Sequence, residues 1–583
     1  MKFLRNFFAS FLALIVFMIM SIVFFSIIIA AMEDTEKFTV KENSVLKLNL
    51  TQQLADRDFE DPFAKFSMVG TSNERIGVID VREALEHAAT NDKIKGVVLY
   101  APGLSGGFAL GQDVRDALSE FKESGKFIWA YAELMTEGGY YLSSVADKIF
   151  IAPEGMLEWN GLGVEMNFFK GTFEKLEIEP QIFRVGDFKS AVEPFILDKM
   201  SDANRKQVKS MINSIYETIV TEIAGDVDLS VEELLELSNT MAVQSVQDAV
   251  KYGLITDALY KDEFEDLLAA ELGIEEASDI EYASYRQYNT SFSNYVKSKN
   301  KIAVIIADGE IMMGKKQNGL ITPGQFTKEL RKAREDNSVK AVVFRINSPG
   351  GDALASDLIW REVVKTAEVK PVIASMSNYA ASGGYYLAMA ADTIVAEPTT
   401  LTGSIGVFGM VFNISDFMAN KLGITTDAES TGTFSNLYTM SRALSDTEKS
   451  IIQNGVNNVY ETFTSKAAEG RGMDIADLKA IASGRVWTGV QAKENGLVDI
   501  LGGLQDAIEV AAQSADIVGD YKTRYYPVKK TAIEELIEEI SGTTSAKMMQ
   551  AKLGEFYPYV DLLEKVNNMK GIQARMPFEV EIK

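Results

Sequence analysis

Glu137-Gly-Gly-Tyr-Tyr-Leu142 and Ser382-Gly-Gly-Tyr-Tyr-Leu387 are one phrase written twice, with a single change in its first residue. The likeness continues on either side. Asp147 and Asp392 each follow the first glycine of the phrase by nine residues, and Pro153 and Pro398 come six later. Farther on, Gly186-Asp-Phe-Lys189 meets Gly432-Thr-Phe-Ser435 at nearly the same offset, and Tyr216-Glu-Thr218 meets Tyr460-Glu-Thr462. Ala249-Val-Lys-Tyr-Gly-Leu-Ile-Thr-Asp257 is matched by Ala492-Lys-Glu-Asn-Gly-Leu-Val-Asp499. The chain is a duplicated domain. Its halves have diverged at a few polar positions, and those are the candidates for chemistry.

Short β-branched runs alternate with helical stretches, which predicts an α/β architecture with buried strands. The first repeat is read as opening with the strand Arg75-Ile-Gly-Val-Ile-Asp-Val81, parallel to Lys301-Ile-Ala-Val-Ile-Ile-Ala307 in the second. Gly96-Val-Val-Leu-Tyr100 and Ala341-Val-Val-Phe-Arg-Ile346 follow as the next strands, then Phe127–Ala132 and Pro371–Met376. The predicted organisation is a membrane anchor at 1–32, a first repeat at 33–285, a second at 286–515, and a helical extension at 516–583. In that extension Ile533–Ile540 and Lys552–Val566 have amphipathic patterning.

Residues Phe7 to Met32 carry no charge, and at helical rise these 26 residues exceed the hydrocarbon core of a bilayer. Lys2 and Arg5 precede the run, while Glu33, Asp34 and Glu36 follow it. This predicts a single transmembrane helix with its N-terminus cytoplasmic and the rest of the chain on the outer, periplasmic side.

Composition removes several chemistries. With 583 residues and no cysteine, the chain has no thiolate nucleophile and no disulfide. Its one histidine, His87, lies in an amphipathic helical pattern, which points to a packing or surface role. A single histidine argues against zinc sites built on paired histidines; carboxylates could still hold Mg²⁺ or Ca²⁺, but no metal or cofactor is expected. A net charge of −25 argues against nucleic acid as a partner.

Two glycine loops remain. Asn347-Ser-Pro-Gly-Gly-Asp352 follows an apolar strand, and its backbone N–H groups could approach a developing oxyanion closely. Ala380-Ala-Ser-Gly-Gly-Tyr-Tyr386 sets Ser382 at a helix start, where serine ordinarily serves as an N-cap but could act as a nucleophile helped by the helix N-terminus. Without histidine, a serine needs another base. A buried lysine qualifies because desolvation lowers its pKa. The repeats single out Lys189: the first half has Lys189 but Glu137 at the serine position, and the second has Ser382 but Ser435 at the lysine position. Each half lacks what the other supplies, so one composite site per pair of repeats follows.

The chain resembles the long, duplicated form of the signal peptide peptidase A (protease IV) family. The resemblance rests on Gly186-Asp-Phe-Lys-Ser-Ala-Val-Glu-Pro-Phe195, Asn347-Ser-Pro-Gly-Gly351, Tyr379-Ala-Ala-Ser-Gly-Gly-Tyr-Tyr386, Leu401-Thr-Gly-Ser-Ile-Gly-Val407 and Gly484-Arg-Val-Trp-Thr-Gly489. It implies tandem crotonase/Clp-protease-like domains and a serine endopeptidase that degrades signal peptides, and other hydrophobic peptides, left in the inner membrane. It further implies Ser382 as nucleophile, Lys189 as general base, Ser404 orienting the lysine, and Gly351 and Gly383 as the oxyanion hole. Asp352 stands where some relatives carry serine. The family's assembly implies a homo-oligomer, a homotetramer. A crotonase-type acyl-CoA enzyme and an inactive peptide-binding scaffold are the competing readings of the same loops.

Overall fold

The computed structural model describes residues 5–8, 10–20, 37–58, 74–293, 296–315, 319–528 and 572–576. Two sheets dominate it, one from each repeat, the first parallel throughout and the second parallel except where Val486–Thr488 pairs antiparallel with Leu401–Gly403. The first has the strand order Asp257–Ala258, Lys148–Leu157, Phe127–Met135, Ile94–Tyr100, Ser44–Asn49 and Tyr282–Ser284. The second runs Val486–Thr488, Leu401–Gly403, Val372–Ala381, Val339–Ser348, Lys301–Asp308 and Lys522–Tyr526, with Thr393–Ala396 and Ile500–Leu501 attached beside Val372–Ala381. In each sheet the first strand in sequence lies between the second and a late strand returning from the end of the repeat. Strands such as Lys301–Asp308 and Val339–Ser348 are buried along almost their whole length, which is why they read as unbroken apolar runs.

The duplication extends to the helices. Tyr216 and Tyr460 sit on long helices, Asp202–Asp226 and Asp446–Arg471, and the glycine phrases open short helices at Glu137–Ser143 and Gly383–Ala388. The tails 249–257 and 492–499 lead into the short strands Asp257–Ala258 and Ile500–Leu501.

Three expectations are corrected. The counterpart of Lys301–Asp308 is Ser44–Asn49, which pairs with Ile94–Tyr100 as Lys301–Asp308 pairs with Val339–Ser348. Arg75–Gly77 is only a short strand beside Gln53–Ala55, and Val78–Thr90 is a helix. Its buried residues, Val78, Val81, Leu85 and Ala88 among them, fall at helical spacing once the window extends past Val81. Second, Lys522–Tyr526 completes the second sheet as Tyr282–Ser284 completes the first, so part of the predicted extension belongs to the second repeat. Third, the described parts of 516–583 include the strands Lys522–Tyr526 and Ile572–Arg575, while both predicted amphipathic helices lie outside the described residues.

Of the predicted anchor, residues 5–8 and 10–20 are helical, and 21–32 lie outside the described residues. No helix among the described residues is long and apolar enough to cross a membrane. The predicted span therefore has no counterpart there. What the described part does show is a helix whose large apolar side chains, Phe7 to Met20, are exposed.

A third sheet ties the halves together. Glu179–Arg184 from the first repeat runs antiparallel to Phe408–Asn413 from the second, pairing Arg184 with Phe408 and Glu179 with Asn413. Lys189 comes five residues after this strand. The halves also lock through Arg345, which is fully buried. Its Nε donates to Asp56 Oδ1 at 2.7 Å and an Nη donates to Asp113 Oδ2 at 2.5 Å, both acceptors in the first repeat. The other Nη donates to the Ser375 hydroxyl and the Met376 carbonyl in the second. Gln112 accepts from Thr399, and Asn378 accepts from the Leu110 N–H across the same boundary.

Candidate active site

The site lies at the carboxyl ends of the second sheet's central strands. Val372–Ala381 ends at Ser382, and the helix Gly383–Ala388 starts at the next residue. Making that turn in one residue forces Ser382 to φ 55° and ψ −111°, a conformation that a side-chain-bearing residue adopts only at a cost of about 1–3 kcal/mol. The backbone is held by the Ser382 N–H donating to the Gly403 carbonyl at 2.8 Å. Although Ser382 occupies the N-cap position, its side chain makes no cap hydrogen bond. The ordinary use of a serine at a helix start is absent here. In the first repeat Thr136 takes that N-cap role, its hydroxyl accepting from Gly139 N–H at 3.3 Å.

The Ser382 hydroxyl instead faces Lys189, with Nζ and Oγ 2.8 Å apart. Lys189 Nζ also donates to the Ser404 hydroxyl at 3.0 Å and the Ser404 carbonyl at 3.1 Å. All three residues are fully buried. Burial alone pushes the Lys189 amine well below the usual lysine range, and no carboxylate contact among the described residues offsets that push. A neutral amine keeps its lone pair, which is what a proton acceptor for a serine hydroxyl requires.

Three of the sequence signatures, 186–195, 401–407 and 484–489, have a part in seating the lysine. The Gly186-Asp-Phe-Lys189 turn is strapped to Ser483: Phe188 N–H donates to its carbonyl at 3.1 Å and Asp187 N–H to its hydroxyl at 3.1 Å. Gln207 holds the Phe188 carbonyl from behind at 3.0 Å. Gly484 leaves the space the lysine stem fills, since a Cβ there would lie 2.7 Å from Lys189 Cβ. The Ser404 N–H donates to the Arg485 carbonyl at 2.7 Å, which ties the 401–407 signature to the 484–489 signature. Neither signature carries the nucleophile or the base. They build the slot that keeps water from the amine.

Gly350 and Gly351, at φ 103° and 155°, let the loop after Val339–Ser348 lie flat against the start of the Gly383–Ala388 helix. A Cβ on Gly350 would come within 2.8 Å of the Gly383 N, and one on Gly383 would lie 3.1 Å from the Gly351 N, so these backbone nitrogens lie close together beside Ser382. Asp352 faces away from it, capping the helix Ala353–Ala367 by accepting from Ala355 N–H at 2.7 Å.

The first repeat's version of the site has no such arrangement. Glu137 is buried, and its carboxylate accepts from the N–H groups of Asn160 and Gly161 at 3.2 and 2.8 Å. Burial raises its pKa. Ser435, at the lysine position of the second repeat, lies in an exposed turn. His87 hydrogen-bonds Tyr288 at 2.7 Å and stacks on Phe292, which agrees with a packing role. Arg345 is the functional-scale residue that sequence reasoning passed over. The available signal was a lone charge inside an otherwise apolar strand.

The model of peptidase family S49 matches the chain twice, over residues 120–275 and 365–518. The protein named "Serine protease SPPA, chloroplastic" from Arabidopsis thaliana is 34% identical over 552 residues, covering 92% of this chain and 78% of its own. "Protease 4" of Salmonella typhi is 33% identical over 496 residues, 83% of this chain and 80% of its own. Among solved structures, a ClpP1 mutant from Listeria monocytogenes overlays 35% of this chain and 94% of its own at 17% identity, with a TM-score of 0.23.

Proposed function

This chain belongs to peptidase family S49 and is a serine protease, and from that premise we propose that it cleaves peptides through a single Ser382–Lys189 dyad assembled from its two halves. The observation that carries the reading is the 2.8 Å contact between a buried amine from one repeat and a hydroxyl from the other that caps nothing. Neutral Lys189 takes the proton as Ser382 Oγ attacks the peptide carbonyl, and the N–H groups of Gly351 and Gly383 stabilise the oxyanion. The ammonium then gives its proton to the departing amine. Water, deprotonated by the same lysine, hydrolyses the ester and regenerates the serine.

The sign of the pH dependence follows from the amine. Below its lowered pKa Lys189 is an ammonium without a lone pair, so kcat/KM for a neutral peptide rises with pH and levels off once the amine is free, well short of the ordinary lysine value. A profile that is flat, or that falls over this limb, contradicts the assignment. Ser404 holds the amine by its hydroxyl and its carbonyl. Removing the hydroxyl leaves the carbonyl contact in place, so Ser404→Ala lowers kcat by about tenfold, the scale of one hydrogen bond to a polar or charged group, with KM little changed. Loss on the scale of Ser382→Ala would make Ser404 more than a positioning residue.

The substrates in this proposal are signal peptides released from preproteins, together with other hydrophobic peptides. The exposed apolar helix at residues 10–20, continuous in sequence with an uncharged run to Met32, supports attachment to the inner membrane, with the protease on the periplasmic side. A homotetramer follows from the same family resemblance. Incubating the purified chain with a synthetic signal peptide and with a polar peptide of equal length tests the substrate class. Preferential cleavage of the signal peptide is the expected result, and preferential cleavage of the polar peptide would overturn it.

A further inference from the structure

The first repeat keeps a cleft of its own at the place where the second has the candidate active site. Glu137 opens the helix Glu137–Ser143 as Ser382 precedes the helix Gly383–Ala388. The glycine loop is retained as well: Gly106 and Gly107 hold φ 112° and 100°, as Gly350 and Gly351 hold 103° and 155°. Leu54 N–H donates to the Ser105 carbonyl at 2.8 Å, which fixes that loop against the strand Gln53–Ala55. The cavity among these elements has a volume of about 650 Å³, within the range of ligand sites. The second repeat supplies its far wall, including Leu401 and Tyr379. Tyr379 comes three residues before Ser382 on the strand Val372–Ala381, about 10 Å at strand rise.

The lining combines two kinds of surface. Leu104, Phe108, Leu162 and Leu401 give it apolar walls, while Glu137, Glu158 and Asp308 outnumber Arg75 among its charges. Arg75 lies 3.8 Å from Asp308, which also accepts from the Asn347 amide at 2.9 Å. Glu137 is only half answered. It is 6% exposed, and Oε2 takes both of its backbone hydrogen bonds, from Asn160 and Gly161. The Tyr216 hydroxyl approaches the carboxylate without reaching hydrogen-bond geometry, so Oε1 is buried with no partner among the described residues. Leaving a buried acceptor unsatisfied costs about 1–3 kcal/mol, and more for a charged one. A ligand that brings a cationic N–H group to Oε1 recovers that cost.

We propose that this cleft is a second, non-catalytic peptide site, which takes a lysine or arginine of an otherwise apolar peptide. The charged head meets Glu137 Oε1, and the apolar neighbours lie on Leu104, Phe108 and Leu162. Exchange of serine for glutamate at this position turned a cutting cleft into a gripping one. As an account of substrate choice the proposal rests on the Ser382–Lys189 reading. The peptides proposed as substrates begin with a basic stretch that leads into an apolar one. The first-repeat cleft holds the basic end while the dyad, a short span along the same strand, cuts within the apolar part.

The test is fluorescence anisotropy on the full chain carrying Ser382→Ala, so that nothing is cut. The probe is a short leucine- and alanine-rich peptide with two lysines at its start, set against a twin with glutamines in their place. The lysine peptide should bind about tenfold more tightly or better, the scale of one hydrogen bond to a charged group. Adding Glu137→Gln, which keeps an acceptor for the Asn160 and Gly161 N–H groups, should remove most of that preference. Equal binding of the twins overturns the site. So does a preference that survives Glu137→Gln, which is general attraction to a chain of net charge −25. A photoreactive group beside the lysines locates the peptide without a variant: adducts within 104–108 or 158–162 are expected, and adducts confined elsewhere overturn the proposal. With Ser382 restored, hydrolysis of both twins at equal kcat/KM overturns the role in substrate choice and leaves the dyad standing. Selective binding with no hydrolysis of either supports the site and overturns the dyad.

Discussion

Ser382→Ala and Lys189→Met each lower kcat/KM for peptide hydrolysis by about 10⁴-fold, and the double variant is no worse than either single one. The magnitude follows from the arrangement. Without Oγ no acyl-enzyme forms, and without the amine the hydroxyl keeps its proton, because no other base lies within hydrogen-bonding reach of Ser382 among the described residues. Groups that act on one proton act as a unit, so removing the second costs nothing further. Steady-state kinetics on the three variants checks this, and losses that multiply would show the two residues acting independently. The variants should part company in stability. Lys189 must shed its charge on folding, because its folded pKa is depressed while the unfolded chain holds the proton. By linkage, the unfolded state binds more protons below the ordinary lysine value, so this lysine destabilises the fold at neutral pH and less so as pH rises.

Arg345→Met destabilises the chain by about 3–5 kcal/mol, the cost of leaving buried charge uncompensated. Arg345 is fully buried, and its two first-repeat partners, Asp56 and Asp113, are buried as well. Removing the guanidinium leaves both carboxylates without that partner, and Asp113 neighbours Glu397, a buried carboxyl whose pKa burial and the nearby Asp113 and Asp116 already hold well above the ordinary range. The loss is larger than an exposed ion pair would give, since those are worth about 0–1 kcal/mol. Urea denaturation of wild type and variant measures it. Adding Asp113→Asn to Arg345→Met should recover part of the loss by removing one unpaired charge. A variant that unfolds with wild type would mean that the apolar cores alone hold the halves together. Activity should fall along with stability, since Arg345 sits on the strand Val339–Ser348 that carries the Gly350–Gly351 loop.

The composite site was legible because duplication supplies an internal reference. Glu137 against Ser382 and Lys189 against Ser435 mark two positions at which one copy departed from the other, and the structure brings the retained pair within 2.8 Å. Parallel-sheet strands were equally plain, being apolar on both faces. The errors have physical causes. Arg75–Val81 has the β-branched content of Lys301–Ala307, but burial at every third or fourth position through Ala88 makes most of it a helix. Ser44–Asn49, the true opening strand, does have strand-like patterning over 45–50, but the polar, turn-rich sequence around it sets it apart from the rest of the repeat. Arg345 was hidden by its neighbours, because partners 289 and 232 residues distant leave no local pattern. Ile572–Arg575 could not be read at all. Four residues have no periodicity, and their strand conformation comes with pairing to Gly350–Asp352 and to Phe408 and Gly409.

One measurement goes to the centre of the account: labelling by a fluorophosphonate probe, with the adduct located by peptide mass spectrometry. The account predicts one adduct on Ser382 in wild type, none in Ser382→Ala, and labelling in Lys189→Met slowed by orders of magnitude, with its rise with pH abolished. An adduct on any other residue, or labelling at the wild-type rate without Lys189, would contradict a dyad built from the two halves.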